Sequence, residues 1–400
     1  MSRKPWGTVL LAAICLAAAA LSTGCGTPGT ALPGEIDVRT LDSGSYPVNR
    51  HSYDQSARGY GAILEGQRMA EAVVPTVRID SKLNVGRQGE VFTTAKDLIE
   101  VGGLSSSVRT ILDNREFLVA YAASGADKPD PPGQTRPDES TTTVNIRLLR
   151  FPSADTAKLA AREMEDADFN VALTVNRKLT LPEYPDAFAH WRPGVSTVGV
   201  VMARREFVLH LFIRLPSGGS DQLLSWAKRT LDAQVPLIDA FQPTPTDEFE
   251  QLRLDPDNIL ARALVEDRDA QQIDPHEFAV YGPTILIHNA LDQTARQKVV
   301  TETGTDAVAV AEDVNVMRTR DPEASKTLID GLITSLGDAY ANGPPPDTIP
   351  DVKCVHRTRG TDQYRCYIPY KRYVAIVNTG TESDAHRMAT AQYALLANSL

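Results

Sequence analysis

One stretch of this chain is written twice. Val144-Asn145-Ile146-Arg147 and Val314-Asn315-Val316-Met317 each open an apolar run, and each leads through Pro152-Ser153-Ala154-Asp155 or Pro322-Glu323-Ala324-Ser325 into a helical pattern, at an offset of 170 (144 to 314). Further on, Phe188-Ala189-His190-Trp191-Arg192-Pro193-Gly194 parallels Cys354-Val355-His356-Arg357-Thr358-Arg359-Gly360, and Arg204 to Val208 parallels Tyr370 to Val374, at an offset of 166 (188 to 354). Closing helices are expected over 220–241 and 383–399. Self-similarity at a fixed spacing marks one supersecondary unit used twice. Each copy reads strand, helix, hairpin, helix, which predicts an α+β fold of two ferredoxin-like units, antiparallel sheets with helices packed on one face.

The duplication gives two cysteines a partner. Gly194 and Gly360 mark the hairpin turns, and counting outward from Gly360 sets Cys354 against Cys366 on adjacent strands. Opposed residues on paired strands have Cβ atoms about 4.5–5.5 Å apart, close to disulfide geometry. In the first copy the same count gives Phe188 and Val200, an apolar pair meeting the same packing need. A cystine is therefore expected, with a structural role. The alternatives are two free thiols or half of a metal site, which too few other cysteines remain to complete.

The leading segment carries an address. Arg3 and Lys4 precede an apolar run from Val9 to Leu21 and small residues ending at Cys25, the plan of a secretory signal and too short to span a bilayer comfortably. Leu21-Ser22-Thr23-Gly24-Cys25 resembles the lipobox of bacterial lipoproteins, with Ser22 standing where the pattern has an aliphatic residue. The resemblance implies that Cys25 is the lipidated first residue of the mature chain, tethered to the outer face of the cytoplasmic membrane; two acyl chains at about 0.8 kcal/mol per buried CH2 hold a protein there stably. Cys15 lies inside the apolar run. Arginine outnumbers lysine, and alanine and aspartate are abundant. With the signal, this texture resembles the uncharacterised actinobacterial lipoproteins of mycobacteria, nocardiae and their relatives, which implies an envelope location and no activity.

Cleavage before Cys25 leaves 376 residues (400 − 24) and, with Arg3 and Lys4 gone, shifts the formal charge from −10 to −12. An acidic chain without a long basic run is a poor match for nucleic acid or anionic headgroups. No second apolar run reaches about 18 residues. The expected organisation is a signal peptide over 1–24, a Gly/Thr/Pro tether over 25–34, an N-terminal domain over 35–242 holding the first copy (140–242), and a C-terminal domain over 243–400 holding the second (311–400). Helical periodicity is expected from Gly61 to Val74, a strand from Phe117 to Tyr121, and an exposed loop from Lys128 to Glu139.

Chemistry is harder to find. His190 and His356 hold matching places in the two copies and would face the same side of their sheets; a polar position kept near a turn is the preferred account, and no site follows from them. Ser225-Trp226-Ala227-Lys228 has the SxxK spacing of penicillin-binding proteins without the companion motifs. Asp255-Pro256-Asp257-Asn258 and Glu266-Asp267-Arg268-Asp269 are oxygen-rich but lack an EF-hand's spacing and glycine, and read as solvated charges. Tyr364 and Tyr370, expected on the face of Cys366, and Tyr367 and Tyr373, expected on the other, suit either sugar stacking or core packing. No GxSxG elbow, Walker loop, dinucleotide fingerprint or metal spacing occurs, so no cofactor and no catalysis are expected. The reading is a lipid-anchored binding or scaffolding module, its ligand an envelope glycan, lipid or protein held in a groove between the copies. A hydrolase with dispersed catalytic residues and a purely structural partner of a membrane complex are the alternatives.

Overall fold

Among the described residues, fourteen strands sort into two sheets with one shared plan. The structure, a computed structural model, describes residues 36–131, 133–134 and 137–399, so Cys25 and the signal segment lie outside the described residues. After α1 (Gly61–Met69), the first repeat runs β1 (Val85–Phe92), α2 (Ala95–Glu100), α3 (Arg109–Asn114), β2 (Val119–Ala126), β3 (Thr143–Arg150), α4 (Ala154–Asn170), β4 (Arg177–Leu179), β5 (Ala187–Trp191), β6 (Thr197–Arg204), β7 (Phe207–Arg214) and α5 (Ser220–Ala240). The second runs β8 (Phe278–Tyr281), α6 (Thr284–His288), α7 (Gln293–Thr303), β9 (Ala307–Ala311), β10 (Val314–Arg318), α8 (Pro322–Thr334), β11 (Tyr340–Gly343), β12 (Lys353–Arg357), β13 (Tyr364–Tyr370), β14 (Tyr373–Thr379) and α9 (Glu382–Asn398). The sheet orders are β1-β2-β3-β7-β6-β5-β4 and β8-β9-β10-β14-β13-β12-β11, so each copy runs to seven strands and four helices, against the three strands and two helices of the sequence repeat. Each sheet exceeds the four strands of a ferredoxin-like layer.

The helix starts follow their caps. Ser153 accepts from Thr156 N–H at 3.1 Å, and Asp321 accepts from Ala324 N–H at 2.8 Å with Pro322 in the first turn. α4 then presents Ala157, Ala160, Ala161 and Met164, a narrow stripe that lets its backbone lie close to the sheet.

The helices do not share one face. α4 packs with Leu149, Val201 and Val208, whereas Leu223, Ala227 and Leu231 of α5 pack with Ile146, Val200, Leu209 and Leu211, residues of opposite parity on the same strands. The expectation of helices on one face is thus corrected: the sheet is a middle layer. Phe207–Ile213 is accordingly apolar at almost every position, as strands covered on both faces are.

The two repeats share a core. It runs from the α5 face of the first sheet through Met69–Val74 and Ile285 to Val299 of α7, Leu328, Ile329 and Leu332 of α8, and Met317, Tyr367 and Val374 of the second sheet. Residues Val38–Leu400 form one compact unit. Polar contacts close the seam. Gly86 N–H donates to Ala290 O and Gly89 N–H to Asn289 Oδ1, both at 2.8 Å, so second-repeat residues cap the open edge of β1. A Cβ at Gly86 would fall on the carbonyl oxygens of His288 and Ala290, and one at Gly89 on the Tyr121 hydroxyl, so both positions require glycine. Fully buried Tyr121 meets His288 Nδ1 at 2.8 Å, while His288 Nε2 lies 3.1 Å from Val73 O. A carbonyl only accepts, so Nε2 carries the proton and Nδ1 accepts from the phenol.

Cys354 and Cys366 are cross-strand partners joined by a disulfide. Both hairpins end in two-residue turns with left-handed Arg205 and Lys371, which fixes their alignment. On that alignment the counterparts are Ala189 and Val200, which pair directly and are buried. Phe188, the expected counterpart, pairs with Val201 and is 37% exposed. The turn after β5 differs in length from the turn after β12, shifting the first strand by one residue.

Replacing the cystine with the first repeat's own solution, Cys354→Ala with Cys366→Val, should keep the fold and cost about 3 kcal/mol on the chain-entropy model. Urea unfolding checks this; an unchanged midpoint would show that the bridge contributes nothing.

Candidate functional site

The α4 face of the first sheet carries a polar row through an apolar layer. Arg147 on β3 and His210 on β7 are register partners, and Lys178 on β4 pairs with His190 on β5. Buried Glu165 of α4 accepts from Lys178 Nζ and His190 Nδ1, each at 2.9 Å, and Asp168 lies 3.7 Å from His190 Nε2. This end of the row is electrically closed.

The other end is open. Arg147 is 7% exposed; its Nε donates to Gly102 O, its Nη2 to Gly103 O at 3.2 Å, and its Nη1 lies 3.4 Å from His210 Nδ1. Arginine only donates, so His210 is the acceptor and neutral. No carboxylate among the described residues pairs with Arg147, and burial pulls its pKa down to about 10. A buried guanidinium held only by neutral acceptors carries an uncompensated charge, which folded chains rarely keep.

Arg147 lines a cleft of about 360 Å³ whose floor includes Gln88, Ser124 and Asn145, cross-strand neighbours on β1, β2 and β3, and whose wall is Val101-Gly102-Gly103 after α2. β1 bulges between Gly86 and Gln88, and Gln88 is held at φ +130°, a region L-residues avoid. Across the bulge lies a second cleft, about 760 Å³, at the seam of the repeats. Its lining combines Val85 to Gly89, Pro129, Asp130 and Gln134 of the first with His276, Asn289 and Leu291 of the second. Arg87, which pairs with Asp130, and Gln88 belong to both clefts. Glu90 lines the smaller cleft, with its carboxylate 3.3 Å from His276 Nε2.

The residues singled out in the sequence do not assemble here. His190 lies on the α4 face, whereas His356 lies beside Tyr364 on the α9 face; the alignment matches His356 with Trp191, so the two histidines are not equivalent. Ser225 is exposed, and Lys228 is held by Asp232 at 2.8 Å. Asp255 is no solvated charge: it is buried, accepts from Leu260 and Ala261 N–H at 3.0 and 2.8 Å, and its pKa is raised by burial. Asp267 and Asp269 are exposed. Among the described residues no cluster of three or more His, Cys, Asp or Glu side chains has metal-binding geometry. Tyr367, Tyr370 and Tyr373 are core, and Tyr373 shares a face with its partner Tyr370 rather than with Tyr367, because the turn between them resets the alternation. Gln88, Asn145 and Arg147 of the cleft, and His210 beside it, carry no functional role in the sequence reading; the available signal was an imidazole interrupting the apolar run of β7 and a charge on the inner strand β3.

Fold and site together define a duplicated α+β protein with a polar cleft at its seam. The chain belongs to the family described as domain of unknown function (DUF7373): the N-terminal model matches residues 52–254 and the C-terminal model residues 259–399. Among solved structures it is similar to the crystal structure of the extracellular domain of PknH from Mycobacterium tuberculosis, at 12% identity and a TM-score of 0.27 over 41% of this chain and 93% of that one. No curated protein matches the chain. Among the described residues no helix is long and apolar enough to cross a membrane.

Burial lowers the pKa of both His210 and His288 to about 3, the neighbouring charges of Arg147 and Arg78 adding to the effect. Unfolded, each titrates near 6.5. Between those values the unfolded chain binds the extra protons, so stability is fully present above pH 6.5 and falls as pH drops toward 3. His288→Gln should reduce the proton uptake on unfolding near pH 5 by one, read as a shallower dependence of unfolding free energy on pH; an unchanged slope would contradict the buried neutral imidazole.

Proposed function

We propose that this is a lipid-anchored binding module of the cell envelope, held by Cys25 on the outer face of the cytoplasmic membrane, non-catalytic, taking an envelope ligand in the cleft at the seam of the repeats. The observation that carries the binding role is the pair of clefts meeting at the strained Gln88 bulge, one of them built from both repeats. Pockets favour such boundaries, and backbone strain persists where the surrounding structure enforces a particular geometry. The lipobox resemblance at Leu21–Cys25, behind Arg3, Lys4 and the apolar run from Val9 to Leu21, supports the anchor and the location.

Intact-mass analysis of the membrane fraction tests the anchor. The wild-type chain should begin at Cys25 with a diacylglyceryl adduct and gain about two mass units on reduction as the disulfide opens; Cys25→Ala should be unlipidated and leave the membrane. A wild-type chain recovered soluble and unmodified would remove the anchor from the proposal. Cross-linking in intact envelopes, with Leu291→Trp filling the seam cleft while the Asn289 contact to Gly89 is kept, tests the binding role: capture of the same species by both chains would refute it.

A further inference from the structure

We infer that the smaller cleft is an anion subsite, in which Arg147 receives the acidic group of a polyhydroxylated ligand, an acidic sugar or sugar phosphate. The inference rests on the binding-module reading and adds the ligand's chemistry. Arg147 is buried and faces only carbonyl oxygens and a neutral imidazole, so the charge that would balance it is not supplied by the described residues. Three of its five N–H donors are engaged by Gly102 O, Gly103 O and His210 Nδ1, which leaves two. A fork of guanidinium donors matches a carboxylate or phosphate oxygen pair, and such charge-assisted bonds are the strong ones.

The rest of the cleft selects a ligand rich in hydroxyls. Gln88, Ser124 and Asn145 put two amides and a hydroxyl on one face of three adjacent strands, a row that donates and accepts. Asn145 Nδ2 is used by Phe212 O at 3.2 Å, which leaves its carbonyl oxygen for a ligand hydroxyl. Glu90, the acidic residue of this lining, is engaged by His276. The second repeat has no counterpart: the register pair equivalent to Arg147 and His210 is Asn315 and Ile376.

The test is isothermal titration of the full chain with glucuronate, glucose 1-phosphate, inorganic phosphate and glucose. Glucuronate or glucose 1-phosphate should bind and glucose should not, the stronger of the two identifying carboxylate or phosphate as the acidic group; phosphate alone should bind more weakly than the sugar phosphate. Arg147→Gln should weaken binding about tenfold or more. Should that variant fail to fold, Ser124→Val and Asn145→Ala, which leave Arg147 and its carbonyl partners in place, decide the matter by weakening the same ligand severalfold. Glucose binding as tightly as glucuronate, or affinity unmoved by the variants, would overturn the anion subsite while leaving a binding cleft. Heat from none of the four probes would overturn this inference, and the envelope cross-linking above then judges the binding reading separately.

Discussion

The capped edge of β1 is the constraint on which the molecule turns. An open edge strand exposes unpaired N–H and C=O groups and invites association; here Ala290 and Asn289 of the second repeat take up the N–H groups of Gly86 and Gly89. Those contacts need two glycines and bring the backbone around α6 against the strand. They also place His288 between Tyr121 and Val73 in a fully buried polar chain. Such a chain must be satisfied at every link, because an unpaired buried group costs about 1–3 kcal/mol. The seam therefore has one good register, and that register fixes the bulge at Gln88 and the two clefts beside it.

The repeat was legible because strand and helix periods survive divergence: Val144–Arg150 and Val314–Arg318 are both inner strands, and both following helices begin at a capping residue. Which face each helix covers was not legible. The apolar stripe of α4 shows that one side of the helix is buried, but nothing in Ala157, Ala160, Ala161 and Met164 names the sheet face it meets. The clue lay in β7, apolar at every position from Phe207 to Ile213 except His210, a pattern wrong for a strand with one wet face. A single-residue difference between hairpin turns then moved Phe188 off the position of Cys354, since a shift of one reverses every side chain.

The candidate site was hidden for a different reason. Its parts come from segments far apart in sequence, Gln88, Gly102, Asn145 and His276, and no spacing rule links them. Arg147 reads in sequence like any strand arginine. Only the structure shows that its neighbours are the carbonyls of a loop 45 residues earlier and a histidine 63 residues later.

The packing of the repeats explains why they diverged as they did. They do not meet through equivalent faces: the first sheet contributes its α5 side to the shared core, while the second contributes its α8 side, the counterpart of the α4 side of the first. A pairing of this kind is heterologous, so equivalent positions experience different surroundings. In the second repeat the face equivalent to the Arg147 row is pressed into the common core, where a buried charge would be costly, and Asn315 and Ile376 stand there instead. In the first repeat that face is turned away from the shared core and can hold both a polar row and a cleft. The remaining outward face, under α9, belongs to the second repeat and carries the Cys354–Cys366 bridge, where the first repeat buries Ala189 against Val200 in the common core. Each copy thus differs from the other where the seam gave its two faces different neighbours.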